Sequence, residues 1–365
     1  MKTSFLRLKG SQQFRLRLLL STVSVTPIVI EEIRVDDSSP GLKPHEVSFL
    51  RLIEEISDDC SVEINETGTK LRYKPGILVG GRNLVHECGL SRSIGYFLEP
   101  LIVLGLFGKK ALSITLKGIT NGHKDPCIDT FQTTTFHILK HFGVPAGLEL
   151  KIISRGSPPK GGGEAVNLVD EGMVKRIRGI AYTTRVSPEM VHRMRYAARG
   201  ILNRLLPDVN IRDGHLSAPL SGRSPGYGIS LVAETTSGCF ICAKVSACFN
   251  RDGDADDMET SDEKPAPMLP EDIGVQEAFL LLEEIKQGGV VDSTHQALLF
   301  VLCALCPHDI SKVRMGKLLP YAIQTLRHIR DFLGVKFNIK PDPFTNSVVL
   351  TCLGCGLKNL SRRMS

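Results

Sequence analysis

"RGSPPKGGGEAV", Arg155 to Val166, places three consecutive glycines behind Pro158-Pro159-Lys160. Glycine lets backbone N–H groups approach a phosphate closely, and it also supplies the positive-φ turns that join strands. Gly156-Ser-Pro-Pro-Lys-Gly161 has the opening spacing of a Walker A loop. That motif then needs Lys and Ser/Thr, where this chain has Gly162 and Gly163, so a P-loop is excluded. On backbone physics alone the triple glycine reads as a tight connection between strands.

The segments on either side of this loop alternate short β-like runs with amphipathic helices. Strands are expected at Phe5–Leu8, Ile28–Ile33, Ser113–Lys117, Leu148–Ile153 and Gly179–Thr184. Helices are expected from about Gln12 to Ser21, at His45–Ile56 behind Pro44, at Ser93–Leu106 and at Ile128–Phe142. Pro188–Leu205 follows with Ser187 as its cap, then β-like runs at Ile229–Thr235 and Phe240–Val245. Helices resume from Val275, from Thr294 and at Leu318–Leu333, and strands Val335–Ile339 and Val348–Thr351 close the pattern. "LRLKG" at 6–10 returns as "ITLKG" at 114–118, an echo that favours repeated βα units. The fold class is α/β (α+β): a large domain over 1–184 and 286–365, with a smaller α/β domain, 185–285, inserted in it.

The 365-residue chain has 42% hydrophobic and 23% charged residues and a net charge of +6. Residues 251–272 carry nine acids against Arg251 and Lys264, a balance of −7, which leaves +13 for the rest. The stretch 250–272 is expected to be a mobile acidic loop, and the basic remainder suits a polyanion or an acidic protein. Ordinary solvated Lys and Arg give the same total. No apolar run approaches twenty residues, and the N-terminus is too charged for a secretory signal, so an intracellular chain without membrane spans is expected.

Three cysteine pairs, Cys239/Cys242, Cys303/Cys306 and Cys352/Cys355, have CxxC spacing. Two such pairs can make a zinc site, but the first and third lie in strand-like segments, where residues three apart face opposite sides. Reduced buried thiols are the expectation, with no metal and no cofactor. Basic clusters stand at "KRIR" 175–178, at "RHIRD" 327–331, and along the helix that carries Arg195 and Arg199. Four residues apart, Arg195 and Arg199 share a face and are candidate RNA or partner contacts. Stacking residues are few, with no Trp and six Tyr, so direct base reading is disfavoured. The first loop, "LKGSQQFRLRLL", has no acid from Leu6 to Pro27 and so no hard ligand for a metal–nucleotide complex. His123, in a polar loop with Asp125 two residues on, is the best nucleophile by composition.

Arg155, Gly156, Pro159, Gly161, Gly162 and Gly163 together resemble the signature loop of the RNA 3′-terminal phosphate cyclases. "PGL" at 40–42, "GLSRS" at 89–93 and "GITNGHKDP" at 118–126 follow that family's order, so the resemblance covers nearly the whole chain. It implies a large domain of repeated βα units with an inserted α/β domain. In true cyclases a histidine is adenylylated, AMP passes to the RNA 3′-phosphate, and a 2′,3′-cyclic phosphate closes. Two departures stand out. The family's first loop is glycine-rich and holds a Glu, where this chain has Gly10-Ser-Gln-Gln-Phe-Arg15. Aligned backwards from Phe332-Leu-Gly-Val-Lys-Phe337, Tyr321 falls where the family has its nucleophilic His, and His328 falls two turns later.

The resemblance is therefore to the eukaryotic non-catalytic branch of the family. It implies a nucleolar assembly factor of the small-subunit processome, needed for pre-18S rRNA processing and without cyclase activity. It further implies a monomer docked in the small-subunit pre-ribosome, bound to a large nucleolar GTPase and in possible contact with pre-rRNA. Arg327, Arg330 and Asp331 are the candidate docking cluster. The alternative is an RNA-modifying enzyme, either a residual ATP-dependent cyclase or an endoribonuclease acting on pre-rRNA.

Overall fold

β1 (Leu6–Lys9) runs through a turn at Gly10 into α1 (Phe14–Ser24), which returns as β2 (Ile28–Glu31), parallel to β1. The helix begins after Gln13, whose φ of 52° is left-handed and incompatible with a helix started at Gln12. α2 (Pro44–Ile56) follows, with Pro at its first position and Glu46 accepting the Lys43 N–H at 2.9 Å. After β3 (Ser57–Asp58), the hairpin of β4 (Ser61–Ile64) and β5 (Leu71–Lys74) completes a sheet of order β1-β2-β5-β4. Ile28, Ile30, Leu71 and Tyr73 of that sheet are fully buried, as are Leu18 and Leu20 of α1 and Phe49, Leu52 and Ile53 of α2. The computed structural model describes residues 4–110, 112–120, 124–143, 167–216, 225–248 and 268–357. Leu148–Ile153, His123 and the whole signature loop with Arg155, Gly156, Pro159, Gly161, Gly162 and Gly163 lie outside the described residues.

β6 (Ile77–Leu78) pairs with β3 and leads to a second β-α-β unit: β7 (Gly81–Ser93), α3 (Ile94–Phe107) and β8 (Leu112–Ile119). β7 was not expected. Burial alternates along Asn83–Gly89, but the inward places hold Leu84, His86 and Cys88 while Val85 faces out, so the hydropathy of GRNLVHECGLSRS does not alternate as a strand normally shows. The echo of "LRLKG" and "ITLKG" joins the first strand of one unit to the second strand of the other, so the two copies do not occupy equivalent places. The predicted helix at 128–142 is α4 (Ile128–Thr130) and α5 (Phe136–His141) joined by a wider π turn at Phe131–Thr135.

β9 (Asn167–Leu168) precedes the smaller of two compact units, Asp170–Asp292; the larger unit is Met1–Val169 with Ser293–Ser365. The smaller unit therefore begins at Asp170, where the sequence pattern puts the boundary at 185. β10 (Val174–Thr184) lies between two partners of this unit: β11 (Val209–Leu216), after α6 (Glu189–Leu202), and β12 (Gly226–Thr235). β13 (Phe240–Cys248) completes the order β11-β10-β12-β13, and α7 (Pro270–Gln287) packs beside α6 over a core of Ile177, Met194, Leu231, Ile273 and Leu281. Most of the acidic stretch lies outside the described residues. Its last part is not loop: Pro270, Glu271 and Asp272 form the first turn of α7, where acids oppose the helix dipole favourably.

Glu277 of α7 is fully buried; its Oε1 accepts the Leu231 N–H at 3.0 Å while Oε2 has no partner. Burial pushes its pKa well up, against the opposing Leu231 hydrogen bond and the more distant Lys244. A carboxyl whose folded pKa is raised contributes stability at low pH and loses it as pH rises from the unfolded value through the folded one. Glu277→Gln keeps the acceptor and removes the titration. Its unfolding free energy is expected to gain on the parent's between pH 5 and 8, by on the order of 1 kcal/mol. Urea unfolding at both pH values measures this; a constant difference would show that Glu277 does not titrate there.

The larger unit resumes with α8 (Gln296–Leu305), buried along its whole length, then β14 (Ile310–Met315), α9 (Pro320–Leu333), β15 (Phe337–Pro341) and β16 (Val348–Leu353), in the order β15-β16-β14-β9. Cys303 hydrogen-bonds with Cys352, which brings two of the CxxC pairs side by side. Among the described residues these four sulfurs do not close to metal-ligand spacing. The Cys303 thiol is held protonated chiefly by burial, as a core packing group. No helix of the described residues is long and apolar enough to cross a membrane.

Candidate functional site

The sequence landmarks of the larger unit meet around the ring of Tyr96. Arg92, from "GLSRS", and Asp125, from "GHKDP", form a bidentate pair; Arg92 Nε donates to Oδ2 at 2.9 Å and Nη2 donates to Oδ1. Asp125 is 2% exposed and also accepts the Ser93 N–H at 3.0 Å, which caps the start of α3. Only glycine at 95 permits this, because an ideal Cβ there would stand 1.9 Å from the Pro126 carbonyl oxygen. Burial alone would raise the Asp125 pKa; the Arg92 hydrogen bond and charge, the Ser93 N–H and Arg15 outweigh it and hold the carboxyl below its ordinary value.

Arg15 lies 5.0 Å from the Tyr96 ring centroid and Arg92 lies 4.7 Å from it. Arg15 also bonds Glu99 of α3 at 2.5 Å and donates to the Tyr96 carbonyl at 3.1 Å. His45 meets the same ring edge-on at 5.1 Å. Burial pushes the His45 imidazole down to about 4; Arg92 and Arg34 push the same way and Glu46 opposes. Arg34 is bidentate on Glu46, at 2.7 and 2.8 Å. Glu46, Glu99 and Asp125 are thus each bound to an arginine. A divalent cation needs oxygens that no arginine already holds, so this cluster does not fit a metal–nucleotide complex.

Tyr321 opens α9, 43% exposed, at the rim of a small hollow shared with Arg15, Glu99 and the apolar Leu19, Val103 and Val301. Gln13 fastens this helix to the first loop, donating to the Tyr321 carbonyl at 2.6 Å and to Thr325 Oγ1 at 3.3 Å. Arg15 hydrogen-bonds the Tyr321 phenol. Burial raises that phenol's pKa and Arg15 only partly offsets it, so the group is neutral near pH 7 and a poor nucleophile. His328, the other side chain considered at this helix, is 3% exposed and turned inward. Its Nε2 accepts the Arg17 Nε at 3.3 Å, while Arg17 also donates to the carbonyls of Lys9 and Gly10 at 3.0 and 2.6 Å. Two arginines at the start of α1 therefore engage the last long helix.

The remaining sequence candidates are dispersed. Arg330 Nε donates to Asp331 at 3.0 Å, and Arg327 donates to Gln324 at 3.1 Å, all on the exposed face of α9. In the smaller unit "KRIR" is internally matched, with Lys175 and Arg176 on Glu234 and Arg178 on Asp208. Arg193 of α6 pairs with Glu271, whereas Arg195 stands by His192, at 2.9 Å, and Arg199 is exposed. Gln13, Arg15, Tyr96 and Glu99 escaped the sequence reading as a group. Arg15 and Glu99 are far apart in the chain, and no local spacing signals their pairing.

The RNA 3′-terminal phosphate cyclase family matches residues 6–339. This chain belongs to that family. It is 59% identical to a probable RNA 3′-terminal phosphate cyclase-like protein of Arabidopsis thaliana, over 98% of this chain and 99% of that one. It is 44% identical to the RNA 3′-terminal phosphate cyclase-like protein of Homo sapiens, with 97% of each chain covered. It is 37% identical to the rRNA processing protein RCL1 of Saccharomyces cerevisiae, covering 98% of this chain and 97% of the other. Each of these relatives is matched over at least 97% of its length.

Proposed function

We propose that this cyclase-family chain is a non-catalytic factor of rRNA processing that acts in the small-subunit processome of the nucleolus. The observation that carries the reading is the closure of the first loop and the start of α1 on α9. Gln13 and Arg15 engage Tyr321, Arg17 engages His328, and Glu99, the acid facing this loop, is bound to Arg15. A neutral phenol is a poor nucleophile, the His328 imidazole is buried with its Nε2 held by Arg17, and each carboxylate of the cluster is bound to an arginine, so no group here is presented for the protein–AMP linkage or for its metal. The printed name of the yeast relative, rRNA processing protein, supports the process. In this reading a large nucleolar GTPase docks on Arg327, Arg330 and Asp331, where opposed charges share one exposed helix turn.

The test is affinity purification of the tagged chain from nuclear extract, paired with incubation of the pure chain with radiolabelled ATP. Pre-18S rRNA and a large GTPase are expected in the eluate, with no acid-labile protein–AMP adduct. Arg327→Ala with Asp331→Ala is expected to lose the GTPase. A labelled adduct would overturn the non-catalytic reading; an eluate free of rRNA precursors would overturn the process.

A further inference from the structure

One of the six tyrosines is exposed in a setting unlike the rest. Tyr196, in the middle of α6, is 85% exposed, while Tyr73, Tyr96 and Tyr227 are at most 5% exposed. A single exposed aromatic is ordinary on a protein surface. Its surroundings are not ordinary. His192 precedes it by one turn and Arg199 follows by one turn on the same helical face, and Arg195, hydrogen-bonded to His192 at 2.9 Å, flanks that face. Glu189 lies two turns N-terminal, next to Arg193, and Glu271 is held by Arg193, so neither acid neutralises the arginines around the ring.

The second observation is Gly200, four residues after Tyr196 inside the same helix. Helical side chains lean towards the N-terminus, so the side chain at 200 would lie over the ring of Tyr196. Glycine leaves that place bare, and a Cβ built there meets nothing within 4 Å. Even in the last turn of a helix glycine is less favourable than most residues, and neither close packing nor a positive φ accounts for this one. Its effect is to uncover one side of an aromatic ring bounded by arginines.

We propose that the Tyr196 face of α6, with Arg195 and Arg199, is a stacking platform for single-stranded RNA. The ring takes one unpaired base, the two guanidinium groups take the flanking phosphates, and Gly200 keeps the base's approach open. Stacking needs no base-specific hydrogen bond, so the platform is tolerant of sequence. It deepens the rRNA-processing reading and rests on it for the source of the RNA. An acidic protein segment would need the arginines alone and would gain nothing from an uncovered ring.

The test is binding of a fluorescently labelled single-stranded oligoribonucleotide to the full chain, with an acidic peptide and a duplex RNA as competitors. Tyr196→Ala is expected to weaken binding about tenfold, the usual scale for losing one stacked base, and Tyr196→Phe is expected to restore it. Gly200→Leu is expected to raise the thermal midpoint while weakening RNA binding, which separates the platform from folding. Arg195→Ala with Arg199→Ala should flatten the salt dependence. Wild-type affinity in both Tyr196→Ala and Gly200→Leu would overturn the platform, as would competition by the acidic peptide with no dependence on Tyr196. Should the chain bind RNA through Tyr196 yet recover no rRNA precursor from extract, the processing assignment falls and the platform stands. Should it recover the precursor with no dependence on Tyr196, the reverse holds.

Discussion

Replacing Asp125 with alanine is expected to destabilise the larger unit by about 3–5 kcal/mol, the usual cost of stripping one partner from a buried charge pair. Four bonds are lost at once: three from the Arg92 guanidinium and one from the Ser93 N–H at the start of α3. Arg92 is 24% exposed in its side chain, so water can recover part of its solvation, which places the effect towards the lower end. Asp125→Asn keeps an acceptor for Ser93 but not the opposite charge, and an intermediate loss is expected. The Asp125 carboxyl titrates below its ordinary value, so its contribution is present at neutral pH and is lost as pH falls through the folded pKa. Chemical unfolding at pH 7 measures both variants. A loss under about 1 kcal/mol for alanine would mean that the pair is a solvated surface contact.

The second large effect is an acid sensitivity centred on His328. Its pKa falls from 6.5 to about 4, first through burial and then through the Arg17 guanidinium, with Asp331 opposing. In the unfolded chain the imidazole takes a proton near pH 6.5; in the folded chain it stays neutral down to about 4. The unfolded state therefore binds more protons between these limits, and stability falls as pH drops through that window, by about 3 kcal/mol across its full width. His328→Gln keeps an acceptor for Arg17 and removes the proton site. The variant is expected to be slightly weaker than the parent at pH 7.5 and to overtake it towards pH 4.5. Parallel stability curves for the two proteins would show that His328 is not the sensor. His45, lowered to about 4 by its own burial, titrates over the same range and leaves a residual slope in the variant.

Much of the α/β order was legible because it is local. The β2 and α2 segments show in the spacing of Ile28 and Ile30, two apart on a strand, and of Phe49 and Ile53, four apart on a helix, each of them buried as the periodicity requires. β7 was illegible because it buries a polar His86 and exposes Val85, and the boundary at 170 was illegible because strand partners, not composition, assign β10 to the smaller unit. Tyr196 belongs here too. A count of six tyrosines argued against stacking, whereas a single ring uncovered by Gly200 argues for it.

By itself the sequence determined the family, through Arg155–Val166 and its companion landmarks, and it shows a first loop without an acid and a tyrosine at 321. Residue types at fixed spacing are a property of the chain, so they can be read without coordinates. Tertiary structure alone decided what these places contact. Arg15 reaches Glu99 and the Tyr321 phenol, Gln13 reaches the Tyr321 carbonyl, and Arg17 reaches His328, across separations of 84 to 311 residues. Such contacts depend on how helices α1, α3 and α9 pack, and side-chain charge is paired only once that packing exists.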